Sequence, residues 1–202
     1  MATNVENERF EMVKKRHFQS FHDAVTNGKA DKPAIPLCEF LNSLPEFFTA
    51  SSCSGRVILL NVDSMETKQT AAFHYKTHGL ASAMVSWKKL SEKTRKEVWF
   101  KQESFILHIG TNHLDNANRL LECARLAGIK RGGIMLAKPG KFILELQGTQ
   151  GISAPIKYQD KLLVNRDYYE FLVRRANKKM KKNSQQLEKF EKILREKLGS
   201  TD

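Results

Sequence analysis

The sequence predicts an α+β fold: a mixed α/β sheet with hairpins, flanked by helices and closed by a long C-terminal helix. Three observations carry this. Stretches with helical apolar spacing are intermixed with short strand-like runs, rather than alternating regularly as in a doubly wound parallel sheet. Pairs of such runs lie close enough in sequence to form hairpins. The 202 residues, 41% of them hydrophobic, suit one ordinary domain or two small intertwined lobes sharing a core.

Phe10, Val13, His17, Phe18, Phe21 and Val25 recur at helical intervals, and Asn27-Gly28 ends that first helix. A short helix is expected over 35–44, after Pro33 and closed by Pro45. Phe47 and Phe48 then open an extended stretch into SSCSGR. VILLNV (57–62) reads as a strand, 61–70 as a polar loop and TAAFHYKTH (70–78) as the hairpin partner. The segment 79–98 looks helical, with Trp87 and Leu90 on its apolar side. SFILHIG (104–110) is a strand, and 112–128 a helix with Leu114, Ala117, Leu120, Leu121 and Ala124 on one face. Gly128 is its C-terminal cap. GGIMLA and KFILELQ form a hairpin around Pro139-Gly140. An extended stretch at 151–158 and a strand at LLVN follow, and the remainder reads as one long helix or two. Helix, strand, strand, helix occurs about twice, which leaves an internal duplication open. Residues 1–198 are expected to form a single domain, and 199–202 a frayed tail.

Charge is the strongest compositional signal. Lys and Arg number 34 against 22 acids, a net charge of +12, with a pI near 9.7. This favours polyanionic partners, nucleic acid first and anionic lipid second. Mean hydropathy is −0.48, and no run approaches the ~18 apolar residues of a membrane span. The N-terminal residues lack the apolar core of a signal peptide. Three scattered cysteines, Cys38, Cys53 and Cys123, argue for a reducing, cytoplasmic compartment and against a disulfide framework. No C-x-x-C pair is present, and His74 and His78 have no third ligand in view, so no metal is expected.

G-x-G-x-x-G, the P-loop, H-E-x-x-H and G-x-S-x-G are all missing, which weighs against dinucleotide-binding and P-loop enzymes. SSCSGR remains. It reads either as a turn before a strand or as a pocket floor. In the second case Gly55 lets a ligand approach backbone, Ser51, Ser52 and Ser54 offer hydroxyls, and Arg56 offers a fork for carboxylate or phosphate. Cys53 is a small buried group or part of that floor. His78 before Gly79 and His108 within an apolar strand are candidate polar groups of a site. Lys101 and Glu103 read as a solvated strand entry or as ligand contacts. Lys130 and Arg131 read as a tight connection or as phosphate contacts beside Gly132 and Gly133. Arg174, Arg175, Lys178, Lys179, Lys181 and Lys182 suit either a phosphate backbone or a solvated helix face.

FTASSCSGRV, KTHG, FKQESFILHIG, LLECARLAGIKRGGI, QGTQGISAPI and YYEFLVRRANKKMKKN follow one another in this order. Together they resemble the tRNA wybutosine-synthesizing protein 3 family over nearly the whole chain. The resemblance implies an unusual α/β arrangement rather than a Rossmann-like methyltransferase. It implies transfer of a methyl from S-adenosylmethionine to N-4 of a 4-demethylwyosine base, 3′ of the anticodon in phenylalanine tRNA. The partners implied are the anticodon stem-loop and other enzymes of wybutosine synthesis. Ser51, Ser52, Cys53, Ser54, Gly55, Arg56, Lys76, Lys101, Glu103, Lys130 and Arg131 become candidate binding residues, and His78 and His108 candidate bases. Two departures stand out: Glu103-Ser104 where the family has Glu-Pro, and Gly132 where it has Ser, so any role for Gly132 falls to its backbone. A non-catalytic RNA-binding protein on the same fold is the alternative, and a basic adaptor using the terminal helix a third reading.

Overall fold

The computed structural model describes residues 4–63 and 71–199. Its elements follow in the order α1 (Asn4–Thr26), a 3-10 turn (Lys32–Ala34), α2 (Ile35–Ser43), β1 (Phe47–Cys53), β2 (Arg56–Val62), β3 (Ala72–Thr77), α3 (Ala83–Leu90), β4 (Glu97–Glu103), β5 (Ile106–Thr111), α4 (Leu114–Leu126), β6 (Arg131–Lys138), β7 (Lys141–Gln147), β8 (Ile152–Tyr158), β9 (Lys161–Leu162) and α5 (Arg166–Leu198). They divide into two compact units: Met1–Ser54, Phe105–Thr149 and Ser184–Asp202 form the first, Gly55–Ser104 and Gln150–Asn183 the second. Every strand pairing among the described residues is antiparallel. This is the α+β architecture with a long terminal helix that the sequence predicts, and not a doubly wound parallel sheet.

The first unit has the strand order β1-β5-β7-β6. Leu107, Ile109, Leu144 and Leu146 alternate onto one face of this sheet. There they meet Leu37 and Leu41 of α2, Leu120 and Ala124 of α4, and Leu187, Phe190 and Leu194 of α5. On the other face α1 lies along β1. Phe10 approaches the Phe48 ring, with centroids 5.7 Å apart, and His17 stacks on it at 4.9 Å. Gly110 lies against the same ring, where a Cβ would overlap it. The Phe48 contact therefore requires a glycine on β5. Phe18, read as apolar face, is 46% exposed.

The second unit has the order β3-β2-β4-β8-β9. Val57, Leu59, Val98, Phe100 and Ile156 pack on Leu90 of α3 and on Tyr169, Leu172, Val173, Ala176 and Met180 of α5. Both helices of this unit thus lie on one face of its sheet.

Three expectations change. SSCSGR is not simply a turn before a strand. It is the end of β1, a Ser54-Gly55 link and the start of β2, and these strands belong to different sheets. The helix expected over 79–98 stops at Leu90, and Glu97–Glu103 is β4, so Lys101 and Glu103 lie inside a strand. Buried Val98, Phe100 and Gln102 alternate there with Glu97, Trp99, Lys101 and Glu103, but the charged run before them masks that period. The LLVN strand shrinks to Lys161–Leu162, behind a turn in which Gln159 and Asp160 take φ of 44° and 66°. Of the two readings of the terminal segment, one long helix or two, the structure has the first, a single helix of 33 residues. The polar loop expected over 61–70 falls from residue 64 onward outside the described residues, as do residues 200–202 of the tail.

Candidate active site

SSCSGR is shared between the units, and each part is held by its own unit. In the first, Asn42 fixes the strand leading in: its Oδ1 accepts from the Thr49 N–H at 2.8 Å, and its Nδ2 donates to Thr49 Oγ1 at 2.9 Å. Both side chains are buried, so each needs the other's hydrogen bonds. A register shift between Thr49 and Ser51 then re-aims the strand end. Ser52 turns toward α2 and accepts from the Cys38 thiol at 3.4 Å. Burial pushes that thiol's pKa up, against the pull of the Ser52 and Thr49 hydroxyls, so Cys38 is a packed neutral group. The Ser54 N–H donates to Asp31 Oδ2 at 2.6 Å.

Ser51 points the other way and is exposed. Its Oγ lies 2.7 Å from His108 Nδ1, and His108 Nε2 lies 2.9 Å from Glu145 Oε2. The ladder dictates this chain of contacts. Ser51 opposes His108, His108 opposes Glu145, and Glu145 opposes Gly133. Opposed residues share a face. The next row on that face is Cys53, Ile106, Gln147 and Arg131. No atom lies within 4 Å of where a Gly133 Cβ would stand, so the floor is open there. An ionised carboxylate only accepts, so Nε2 carries the imidazole proton and Nδ1 accepts from the Ser51 hydroxyl.

In the second unit Gly55 has φ +101°, and a Cβ there would stand 2.7 Å from both the Glu103 carbonyl and Asn183 Nδ2. His78 Nδ1–H donates to the Gly55 carbonyl at 3.1 Å. Asn177 grips the Ala81 backbone from both sides, at 2.8 and 2.9 Å, and so anchors the chain just past His78. Arg56 Nε meets Glu103 Oε2 at 2.5 Å, with side chains 31% and 40% exposed. Lys76 and Lys101 both oppose Ile58, one from each neighbouring strand.

The remaining candidates separate. Arg131 joins the first unit's open face, while Lys130 is an exposed link residue outside the strand. A Cβ at Gly132 would stand 2.6 Å from Leu146 Cδ2 and 2.8 Å from the Glu145 carbonyl, so packing, not ligand approach, requires a glycine there. His74 ties β3 to α3: its Nε2–H donates to the Lys89 carbonyl at 2.5 Å, and Nδ1 accepts from Asn61 at 3.2 Å. Sequence reasoning missed Glu145, Asn42 and Asn177. Glu145 carried a signal, as the one acid within the apolar run KFILELQ.

Two antiparallel sheets, each carrying its own polar groups, define a class apart from enzymes on doubly wound sheets. The chain matches the family described as Methyltransferase TYW3 over residues 8–196. It is 34% identical over 183 residues to the tRNA wybutosine-synthesizing protein 3 homolog of Xenopus laevis, covering 89% of this chain and 72% of that one. It is 30% identical over 189 residues to tRNA(Phe) 7-((3-amino-3-carboxypropyl)-4-demethylwyosine(37)-N(4))-methyltransferase 1 of Pyrococcus abyssi, covering 94% and 97% of the two chains. The solved PH1069 protein of Pyrococcus horikoshii superposes with a TM-score of 0.87 at 29% identity, over 93% of this chain and 97% of that one. The chain belongs to the Methyltransferase TYW3 family. Among the described residues, no helix is long and apolar enough to cross a membrane.

Proposed function

We propose that this protein methylates N-4 of 7-(3-amino-3-carboxypropyl)-4-demethylwyosine at position 37 of phenylalanine tRNA, with S-adenosylmethionine as donor, in the cytoplasm. Its relative from Pyrococcus abyssi bears the name of that reaction, and the hydrogen-bonded series Ser51–His108–Glu145 supports it. Direct displacement at a sulfonium methyl needs donor sulfur, methyl and acceptor nitrogen nearly in line. The acceptor nitrogen carries a proton that must leave as the new bond forms. Ser51 is the exposed end of the series and stands where that proton arrives. It passes its own proton to His108 Nδ1, and Glu145 stabilises the resulting imidazolium through Nε2–H. Arg56, tied to Glu103, suits a carboxylate or phosphate away from the methyl, because positive charge beside the sulfonium opposes reaction. Cys53, in the next row of the same face, extends the floor beside Ser51, whereas Ser52, turned toward α2, and buried Ser54 do not reach it. In the second unit His78 orients the Gly55 carbonyl. Lys76, Lys101, Lys130 and Arg131 hold the anticodon stem-loop.

The test is incubation with S-adenosylmethionine and phenylalanine tRNA bearing the 4-demethyl base, followed by mass spectrometry of the nucleosides. A gain of one methyl is expected. No gain from folded, donor-binding protein overturns the proposal. His108→Gln and Glu145→Gln should each lower kcat by about 10²-fold or more with KM little changed, as loss of general-base assistance requires.

A further inference from the structure

The outer face of the second unit's sheet has no part in the proton transfer above. α3 and the 166–183 part of α5 pack on the opposite face. The ladders place Phe73, Leu60, Trp99 and Pro155 in one row on the outer face, and Lys76, Ile58, Lys101 and Ser153 in the next. Phe73 is 50% exposed. Cations attend both rings: Arg56 and Lys76 stand 5.2 and 5.3 Å from the Phe73 centroid, and Lys101 stands 5.6 Å from that of Trp99. Arg56 also holds Glu103, and among the described residues the other acid that β4 places on this face, Glu97, sits at its far end beside Val62. Charge is divided unevenly between the units. The second has 18 Lys and Arg against 8 Asp and Glu, the first 16 against 14.

Aromatic rings on one face of an antiparallel sheet, Phe73 half exposed and Trp99 half-buried beside buried Ile58, each attended by cations, fit an occupant with flat π faces and regularly spaced negative charge. A lipid surface has the charge but no rings to stack, and a duplex keeps its bases stacked inside. We infer that this face is a platform for unpaired RNA nucleotides. Phe73 and Trp99 stack on bases, and Arg56, Lys76 and Lys101 meet the adjoining phosphates. That these nucleotides belong to the anticodon loop of the substrate rests on the function proposed above; the platform itself does not.

The test is binding of a short oligouridylate to the full chain at fixed salt, beside the same strand annealed to its complement. Phe73→Ala and Trp99→Ala should each weaken single-strand binding about tenfold, while Phe73→Tyr and Trp99→Phe, which keep a π face, stay within about twofold. Melting temperatures establish that each variant is folded, and Lys101→Gln supplies a contact variant that leaves both rings in place. Duplex affinity should be lower and indifferent to the aromatic changes. Unchanged single-strand binding in Phe73→Ala and Trp99→Ala overturns the inference. So does a loss confined to Lys178→Ala and Lys182→Ala, which would move the RNA to α5. Neither donor nor modified base is present, so aromatic-dependent binding without methyl transfer would sink the enzyme and keep the platform. Methyl transfer without aromatic dependence would do the reverse.

Discussion

Gly55 and Arg56 are neighbours with opposite kinds of importance. Gly55 holds φ +101°, and a Cβ would meet the Glu103 carbonyl and Asn183 Nδ2 at 2.7 Å. Gly55→Ala should therefore cost about 2–4 kcal/mol in denaturant unfolding, from backbone strain plus overpacking. Arg56 makes one half-exposed ion pair with Glu103. Such pairs contribute about 0–1 kcal/mol, so Arg56→Ala should leave the unfolding midpoint nearly unchanged and weaken donor or tRNA binding. A large stability loss in Arg56→Ala, or none in Gly55→Ala, would reverse these assignments. Residue type alone marks both positions as unusual. Which is backbone and which is contact depends on Glu103, whose strand the sequence hides.

At the scale of elements, strong periodicity was legible and interrupted periodicity was not. α1, α4 and the β6–β7 hairpin follow from apolar spacing and from glycines 28, 128 and 140, all at positive φ. β4 did not, because its inward positions include Gln102, whose Nε2 donates to the Glu103 and Gln150 carbonyls. The site shows the same limit. His108 could be singled out as a polar residue in an apolar strand, but its partners Ser51 and Glu145 come from strands 57 and 37 residues away in sequence. Tyr169 on α5 carries a prediction of its own. Burial raises its phenol from 10.0 to about 12, against the smaller pull of the Ser86 hydroxyl. The folded pKa exceeds the unfolded one, so the contribution is complete below about pH 10 and is lost as pH rises toward 12. Two pH units correspond to about 2–3 kcal/mol. Urea midpoints near pH 9 and near pH 11.5 should therefore fall further apart for the wild type than for Tyr169→Phe. Equal falls would show that the phenol is not what alkali attacks.

At the scale of the whole molecule, net charge is a property of placement as well as of number. Of the cations in α5, Arg174, Arg175, Lys178, Lys179, Lys181 and Lys182 lie in the second unit, and no acid occurs among them. The first-unit part of the same helix carries its own compensation: Arg195 meets Glu191 at 2.8 Å, and Lys192 lies 4.0 Å from Glu196. Cations already paired release few counterions when RNA binds, whereas unpaired ones each contribute to the salt dependence. Affinity for tRNA should thus fall steeply with salt. Lys178→Gln, Lys181→Gln and Lys182→Gln should each reduce the log–log slope by up to about one, while Lys192→Gln and Arg195→Gln leave it unchanged. Titrations of tRNA at several salt concentrations measure this directly. A flat dependence, or equal effects from the two sets of cations, would mean that the chain's basicity serves solubility rather than recognition.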